Sequence, residues 1–463
     1  MPAANPNRER SRVVILGAGF AGIKAAQRLG KLPVDVTIID RKNHHTFQPL
    51  LYQVALAVLS PGDIAQPIRS ILHKNRNTEV VMDEVLAIDT TARQVSLASG
   101  AIMAYDYLIV ATGSTHSYFG HEEWSKVAPG LKTIEDATDI RRRVLLAFEY
   151  AERQMLETGG HPPLRFVVVG GGPTGVELAG AISDISRLYM TKDFRHIDTK
   201  TAEVVILEGS PAILGMYPED LQKKAREQLN ALGVVVRCGA RVTDIQPGYV
   251  MVGDDERMES VCTLWAAGVQ PSPLGKMLGV ELDKRGCVLV NERLNPKNRP
   301  EIFVCGDLAH FEQDGKQVPG VAQPAMQMGD YAARRIGLLA ARSDKAAYQK
   351  PFRYFDKGDM ATIGRKAAVA RIVWPFHANW SGFMAWITWM FVHIFFLIGF
   401  RNRYSVFLSW AFTYITEHDG VRLIVGSQKL PGWEMLSEAE SSSTDGAFLG
   451  SGGPGSTPLR QRN

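Results

Sequence analysis

Two short, fully apolar runs followed by glycines organise the hydrophobic pattern of this chain. They cover residues 13–16 and 166–169, and each leads through a glycine-rich turn into a helical pattern with apolar positions three and four apart. A further apolar run follows each helix, at residues 36–39 and 204–207. Strands buried on both faces are written as continuous apolar runs, so this pattern predicts two α/β units, each built on a parallel sheet.

The first glycine turn has the spacing of a dinucleotide-binding turn. Gly17 permits the tight turn, Gly19 lets backbone approach a pyrophosphate, and Gly22 lets helix and strand pack closely. The start of the helix offers free N–H groups to phosphates. The next strand ends in Asp40, where an acid would accept hydrogen bonds from an adenosine ribose. A purely structural turn is the alternative, but the strand, turn, helix and acid together favour a dinucleotide.

The second apolar run enters a turn of the same kind. Gly170, Gly172 and Gly175 repeat the spacing of the first turn, with Thr174 just before the last glycine. The strand after this helix ends in Glu208, so a second dinucleotide is predicted. No Arg adjoins Glu208, which favours a free ribose 2′-hydroxyl and hence NADH over NADPH. An Arg brought in from elsewhere in the fold would reverse that preference.

A third apolar segment, at residues 383–400, has 15 apolar residues in 18 and no charged residue. Its length is at the lower edge of what spans a bilayer as a helix, and both flanks are basic, so charge gives no orientation. The next run, at residues 404–416, is too short to cross. We therefore expect an in-plane or re-entrant membrane segment, with a spanning helix and a buried dimerisation surface as alternatives.

Composition and charge place this membrane-facing end apart from the rest. The chain has 463 residues, 45% of them hydrophobic and 22% charged, which suits about three globular domains and disfavours both wholesale disorder and a polytopic membrane protein. The net charge of +4 is local, because residues 365–403 contribute +5 and contain no acid. Six of the eight tryptophans lie in the last 90 residues. The basic segment predicts anionic lipid headgroups as partners, and no nucleic acid is expected. Its five cations are Arg365, Lys366, Arg371, Arg401 and Arg403.

Cysteine and histidine spacing excludes other classes. The four cysteines include no CxxC pair, so the sequence contains no local motif for a zinc site or a redox dithiol, and four are too few for a disulfide scaffold. No metal is expected. A flavin disulfide reductase needs such a dithiol after the first acid, where this chain has His44 and His45. The N-terminal residues 1–12 are polar and basic and do not form a secretory signal. Residues 437–463 are rich in Ser and Gly, which predicts a disordered tail.

Together with further motifs, these features resemble the type II NADH:quinone oxidoreductases, single-subunit flavoproteins on the inner face of respiratory membranes. The resemblance covers residues 13–415. Besides the two turns, the matching segments are residues 46–54, Ala111-Thr112-Gly113, Cys305-Gly306-Asp307, residues 322–327, Asp356-Lys357-Gly358 and residues 360–365.

The resemblance implies an α/β, pyridine nucleotide-disulfide reductase-like fold with two Rossmann-like domains and a C-terminal membrane-associating helical region. An FAD-binding domain would comprise residues 12–125 and 285–364, and an NADH-binding domain residues 126–284. A membrane-anchoring region would follow at residues 365–436.

The resemblance also implies non-covalent FAD at the first turn and NADH as a substrate at the second. Asp40 and Arg41 would hold the adenosine and pyrophosphate of FAD, the Val85 backbone its adenine, and Asp307 the ribityl or pyrophosphate region. Ala322 would lie near the flavin ring. The remaining expected contacts to FAD are Gly17, Gly19, Phe20, Ala21, Gly22, Thr112, Gly113 and Gln323, and those to NADH are Gly170, Gly172, Thr174, Gly175 and Glu208.

Three residues are candidates for catalysis by the same resemblance. Gln323 would lie near the flavin and, with Gln327, line the quinone entrance; four residues apart, they share a helix face. Glu177 matches a family carboxylate proposed to act in catalysis or proton delivery. The alternative for Glu177 is an acid near a helix start that the helix dipole stabilises.

The implied activity is electron transfer from NADH through FAD to a membrane quinone, without proton pumping. A single long apolar segment leaves no room for a chain of intramembrane acids that could carry protons across. The enzyme is expected at the cytoplasmic face of the cell membrane, peripheral or monotopic, as a homodimer. Sulfide:quinone oxidoreductase, which needs paired cysteines, and an NADH-binding flavoprotein with a signalling role are the alternatives. The intact second turn with Glu208 argues against the first, and the quinone-reaching apolar end argues against the second.

Overall fold

Five parallel strands form the sheet that carries the first glycine turn. The computed structural model describes residues 10–160, 163–343, 350–416 and 422–426. The central strand contains the first apolar run, residues 13–16, which is buried on both faces, as its sequence predicts. The helix Phe20–Leu29 follows the turn and packs against the helix Ala322–Ala340. In spatial order the strands are Ile302–Val304, Tyr107–Val110, Ser11–Leu16, Val34–Asp40 and Thr78–Met82.

The second glycine turn lies on a separate sheet of four parallel strands. Their order is Val234–Cys238, Glu203–Glu208, Arg165–Val169 and Cys262–Trp265. Both sheets therefore have the crossover order of a dinucleotide-binding unit, as predicted. The helices on this side are Ile134–Thr158, Pro173–Asp184 and Glu219–Ala231.

Smaller elements complete these two units. The short helices are Gln48–Leu50, Leu51–Ala55, Pro61–Ile64, Ile68–Leu72, Glu122–Lys126, Ile185–Tyr189, Met190–Lys192, Thr199–Thr201, Leu274–Met277 and Gly306–Leu308. The remaining small sheets pair Val85–Asp89 with Gln94–Leu97 and Ile102–Ala104, Val242–Gln246 with Tyr249–Val252 and Glu256–Glu259, His44–Thr46 with Ala65–Pro67, Val288–Leu289 with Ala309–His310, and Glu312–Gln313 with Lys316–Gln317.

The connection between the units moves the domain boundaries from those predicted. Strands Ser114–His116 and Val269–Pro271 pair antiparallel where the chain crosses in each direction. Trp124 already packs in the core of the second unit, and Leu278 already packs in the core of the first. The second unit thus starts before residue 126 and ends before residue 284. No composition change marks either crossing, because each crossing strand is only three residues long.

A three-stranded antiparallel sheet, here the C-terminal sheet, follows the two units. Its strands are Gly358–Ile363, Ala367–Ile372 and Ala378–Ser381. The boundary predicted at residue 364 falls in the turn between its first two strands, so this boundary has to move upstream of the sheet. The turn packs closely on the helix Pro173–Asp184, since a Cβ added to Gly180 would lie 2.6 Å from the Gly364 nitrogen.

Two helices form at the two apolar runs noted at residues 383–400 and 404–416. The first, the apolar helix, spans Phe383–Phe396, and the second, the terminal helix, spans Phe400–Thr416. Gly399 lies between them with a φ of +90°, a conformation that ends a helix readily in glycine. Among the residues that the structure describes, no helix is long and apolar enough to cross a membrane.

Candidate functional site

The two glycine turns share one geometry. A Cβ on Gly22 would lie 1.8 Å from the Gly17 oxygen, and a Cβ on Gly175 would lie 1.9 Å from the Gly170 oxygen. Only glycine allows each helix to pack this closely on its own turn. A Cβ on Gly19, by contrast, would meet nothing closer than 3.9 Å, so the backbone is open to a ligand there.

The two predicted acids hold their turns in the same way. Asp40 accepts hydrogen bonds from the backbone N–H of Ala18 at 2.7 Å and of Lys42 at 2.8 Å. Glu208 accepts hydrogen bonds from the N–H of Gly171 and of Ser210, both at 2.6 Å. Each carboxylate is thereby fixed at the carboxyl end of its strand, with lone pairs left to accept ribose hydroxyls.

One cavity of about 800 Å³ connects the first turn with the second unit and with the C-terminal region. Four buried polar atoms of its lining residues have no hydrogen-bond partner among the described residues: His44 Nε2, His45 Nε2, Thr112 Oγ1 and Gln323 Oε1. Buried polar atoms are normally paired, so these atoms fit a polar ligand, and the open backbone at Gly19 fits its phosphates. The lining residues are thus suited to a dinucleotide.

A partly buried lysine lies beside the predicted Asp307. Ser114 donates to Asp307 Oδ2 at 2.6 Å, and Lys132 Nζ donates to Ser114 Oγ at 2.9 Å and lies 3.9 Å from the same carboxylate oxygen. Burial lowers the pKa of Lys132, which Asp307 partly offsets. All three residues line the cavity. The sequence indicated Asp307 but gave no signal for Lys132, which follows no motif.

Glu177 reaches the cavity from the second unit, as the fifth residue of the helix Pro173–Asp184. Burial raises the pKa of Glu177 to about 8, and the backbone N–H of Thr362, 3.5 Å from Oε1, offsets this only in part. A carboxylate stabilised by the helix dipole would show the opposite shift and would lie in the first turn. The catalytic or proton-delivering role of Glu177 stays a prediction.

The two predicted glutamines differ in whether they line this cavity. Gln323 lines the cavity and donates from Nε2 to the Gly358 oxygen at 3.1 Å. Gln327 does not line that cavity. Its side chain donates to the Phe355 oxygen at 3.0 Å and accepts from the Phe355 nitrogen at 2.9 Å. Both glutamines line a neighbouring cavity of about 1320 Å³, as the four-residue spacing on one helix face predicts, but only Gln323 also lines the cavity at the first turn.

The other predicted residues divide between the cavity and its surroundings. Arg41 lies away from the cavity, exposed, with its guanidinium 3.6 Å from Glu84 Oε1. Val85 is buried in a strand that pairs with Gln94–Leu97, also away from the lining. Residues that do line it are Gly17, Gly19, Phe20, Ala21, Asp40, Thr112, Gly113, Thr174 and Ala322. Gly22, Gly170, Gly172, Gly175 and Glu208 shape the turns but do not line the cavity.

The apolar helix forms the far wall of the cavity through Thr388, Val392, His393 and Phe396. His393 Nδ1 lies 2.7 Å from the Trp389 oxygen, and its ring stacks on Trp389 at 4.2 Å between centroids. Burial lowers the pKa of His393 to about 4. The sequence analysis missed this residue, because a lone histidine in an apolar run carries no motif.

A buried hydrogen-bond chain runs from beside Glu177 to the terminal helix. Tyr52 Oη lies 2.8 Å from Thr362 Oγ1, and Gln53 donates to Tyr52 Oη at 2.9 Å. Trp410 Nε1 then donates to Gln53 Oε1 at 2.7 Å. The matched segment at residues 46–54 thus contributes to the site by holding the terminal helix in place.

Arg371, a cation of the basic segment, is paired within the protein. Arg371 Nη2 lies 3.0 Å from Asp356 Oδ2 and 2.5 Å from Asp359 Oδ2. Both acids precede residues 365–403, the basic segment that contains no acid. The first two strands of the C-terminal sheet pair antiparallel, which brings Arg371 next to these acids. The charge of Arg371 is therefore balanced within the protein, and contact of the basic segment with headgroups stays a prediction. In the described parts of the chain, no group of three or more His, Cys, Asp or Glu could hold a metal ion.

Two glycine turns on parallel sheets, with a cavity that runs from the first turn to the start of the second-unit helix, define a nucleotide-dependent oxidoreductase with two dinucleotide sites. The family model for pyridine nucleotide-disulphide oxidoreductases matches residues 11–329, and the model for the NDH2 C-terminal domain matches residues 357–419. The chain is 42% identical to the type II NADH:quinone oxidoreductase Ndh of Mycobacterium tuberculosis, over 92% of this chain and 93% of that protein. It is 40% identical to NdhA of the same organism, over 91% and 90%. The chain belongs to the type II NADH:quinone oxidoreductases.

Solved structures agree on the fold. The structure of NDH2 from Plasmodium falciparum in complex with NADH has a TM-score of 0.78 at 19% identity, covering 90% of this chain and all of that one. The sulfide:quinone oxidoreductase of Aquifex aeolicus has a TM-score of 0.68 at 18% identity, covering 88% and 96%. The predicted fold class and family are confirmed.

Proposed function

We propose that this chain oxidises NADH and passes two electrons, through a non-covalently bound FAD, to a membrane quinone. The observation that carries this proposal is the single cavity, which joins the first glycine turn, the start of the second-unit helix and the apolar helix. A nucleotide from the second unit and a lipid-soluble acceptor from the C-terminal side can thus reach one group held between them.

The residues of the first unit suit FAD. Asp40 would accept the adenosine ribose hydroxyls, the N–H groups at Gly19 would hold the pyrophosphate, and the pair of Ser114 and Asp307 would bind the ribityl region. Lys132 supplies a positive charge beside that pair. When bound, FAD accepts a hydride from NADH and releases two electrons to quinone. The protein's own contribution is alignment, charge and the exclusion of water from the cavity.

The second unit selects NADH. Glu208 is fixed by two backbone N–H groups and makes no ion pair with any described Arg or Lys. Its free lone pairs suit a ribose 2′-hydroxyl, whereas a 2′-phosphate would be repelled by the carboxylate.

Quinone reduction also consumes two protons, and Glu177 is placed to hold one. With a pKa of about 8, its carboxyl is protonated at neutral pH, at the junction of the second unit and the C-terminal sheet. Glu177 would deliver this proton to the cavity and recover it from solvent. Uptake and release on the same face make the reaction non-pumping.

The C-terminal helices provide the face that would lie on the membrane. Phe391, Phe395 and Phe400 are 62%, 69% and 85% exposed, and Arg401 makes no ion pair among the described residues. Large exposed apolar side chains beside a cation suit an interfacial helix on anionic lipid. A peripheral or monotopic position on the cytoplasmic face of the cell membrane follows, since NADH must come from the cytoplasm. The homodimer stays a prediction.

The cysteines do not support sulfide chemistry. Burial raises the pKa of Cys262 to about 12, and Cys305 is fully buried with its pKa raised by burial as well. Reactive cysteines need an accessible thiolate, which these residues lack.

Anaerobic mixing of the FAD-loaded protein with NADH, followed by a short-chain quinone, tests the proposal. Flavin absorbance should bleach with NADH and return with quinone, while sulfide should bleach nothing. A reduced flavin that quinone does not reoxidise would contradict the proposal.

The two glutamines sharpen this test. Gln323→Ala should slow the quinone step and leave bleaching by NADH intact, because Gln323 lines the cavity. Gln327→Ala should act only through the segment it holds. Gln313→Ala is its matched control, since Gln313 binds the Tyr354 backbone in the same two-way manner outside the cavity. Equal effects of Gln327→Ala and Gln313→Ala would assign Gln327 a structural role; a larger effect of Gln327→Ala, confined to the quinone step, would assign it to the quinone entrance.

A further inference from the structure

His393 is the one histidine of the apolar helix, and its hydrogen bond fixes where its proton lies. A backbone carbonyl can only accept, so Nδ1, 2.7 Å from the Trp389 oxygen, must carry the hydrogen. In a neutral imidazole the other nitrogen, Nε2, is then an acceptor only. Nε2 has no hydrogen-bond partner among the described residues.

The surroundings hold the ring in this state. The Trp389 ring stacks on the His393 ring with 4.2 Å between centroids, and the Phe47 ring packs edge to face on it with 6.1 Å between centroids. Burial lowers the pKa of His393 to about 4, and no charged group contributes to that shift. The ring is therefore neutral at physiological pH, and rotation is restricted by two aromatic neighbours. Phe47 and His393 both line the cavity.

The chemistry of the two substrate states differs at this point. Both oxygens of a quinone are carbonyl acceptors, whereas the quinol formed from it by two electrons and two protons carries two O–H donors. An acceptor-only nitrogen can bond to the quinol but not to the quinone.

We propose that His393 Nε2 accepts a hydrogen bond from a hydroxyl of the quinol product, so that the cavity distinguishes the reduced from the oxidised acceptor. This inference rests on the proposed function. It makes His393 a binding residue for product, and it predicts that quinol release limits turnover when quinol accumulates in the membrane.

The test compares product inhibition with substrate use in the FAD-loaded enzyme in lipid vesicles. His393→Phe removes the acceptor and keeps a ring against Trp389, and His393→Gln restores an amide oxygen. For His393→Phe, the inhibition constant of a short-chain quinol should rise about threefold to tenfold, the worth of one hydrogen bond, while the quinone KM stays within about twofold. His393→Gln should recover part of the quinol affinity. Flavin bleaching by NADH should be unchanged in both.

His73→Phe is the matched control, because His73 also donates from Nδ1 to a backbone carbonyl, that of Ser70, but is exposed and lies outside the cavity. An unchanged quinol inhibition constant in His393→Phe would overturn the inference, as would an equal rise in quinone KM. If His393→Phe does not fold, His393→Leu allows the same comparison. Failure of the proposed function itself looks different, since wild-type reduced flavin would then not be reoxidised by quinone.

Discussion

Replacing Glu177 by Gln tests whether this carboxyl is held protonated for use in catalysis. Glutamine has the shape of a protonated glutamic acid but cannot ionise. It therefore removes the proton that Glu177 would deliver, and also the cost of keeping an ionisable group in the buried junction between the helix Pro173–Asp184 and the C-terminal sheet. These two consequences have opposite signs, one on activity and one on stability.

The stability effect follows from the shifted pKa. In the unfolded chain Glu177 ionises with its ordinary pKa of 4.5, whereas in the folded protein its pKa is about 8. Between these values the folded state binds the extra proton, so stability is highest below pH 4.5 and falls as pH rises towards 8. Between the two pKa values, each pH unit lowers the free energy of unfolding by about 1.4 kcal/mol. The loss of stability caused by Glu177 is therefore about 3 kcal/mol at pH 7 and below about 1 kcal/mol at pH 5.

Thermal unfolding of the FAD-loaded protein at several pH values measures this cost. Glu177→Gln should melt at nearly the wild-type temperature at pH 5 and roughly 5 °C higher at pH 7. Its quinone reductase activity should nevertheless be lower, and wild-type activity should fall as pH rises past about 8. Glu79→Gln, on an exposed strand, is the control and should show no pH-dependent difference. A melting difference for Glu177→Gln that is the same at both pH values would refute the reasoning.

Three other changes have expected outcomes. Gly175→Ala should destabilise the protein by about 1–3 kcal/mol in chemical unfolding, because its Cβ would lie 1.9 Å from the Gly170 oxygen. In Gly172→Ala the Cβ meets nothing within 4 Å, so this variant should keep the wild-type stability and raise the KM for NADH. Equal unfolding curves for the two variants would contradict this expectation. Glu208→Gln should narrow the preference for NADH over NADPH in steady-state kinetics, and an unchanged ratio would show that another group sets it. Phe395→Ser should weaken binding to anionic vesicles about tenfold in a sedimentation assay. Phe119 is similarly exposed on the second unit, so Phe119→Ser should leave vesicle binding unchanged. If neither variant loses vesicle binding, the membrane face lies elsewhere.

Local spacing was sufficient to predict the two nucleotide units. Each glycine turn contacts an acid, Asp40 or Glu208, within the same strand-turn-helix-strand segment. Residues that make such local contacts occur at regular spacings along the sequence, so the spacing reveals them. The structure places both acids on the backbone N–H groups of their own turns. The domain boundaries were less predictable, because crossing strands of three residues each carry no pattern.

The cavity wall could not be predicted in the same way. Lys132 and His393 act through position in the fold, and neither stands in a spacing that signals chemistry. Spacing predicted correctly that Gln323 and Gln327 share a helix face, since both line a neighbouring cavity, but it could not predict that only Gln323 reaches the cavity at the first turn. Hydrophobicity predicted the two apolar runs at residues 383–400 and 404–416, but not that the first helix ends at Phe396 and the second begins at Phe400, with Gly399 between them.

The C-terminal region does more than provide a membrane face. Its sheet supplies the Thr362 N–H near Glu177 and the Gly358 oxygen that orients Gln323. Its terminal helix is tied through Trp410 to the buried chain of Gln53 and Tyr52. Under the proposed function, the dinucleotide-binding scaffold would gain its acceptor site from the same segment that would meet the bilayer. Because the buried polar groups of the scaffold are paired by this segment, membrane docking and site assembly depend on one packing arrangement.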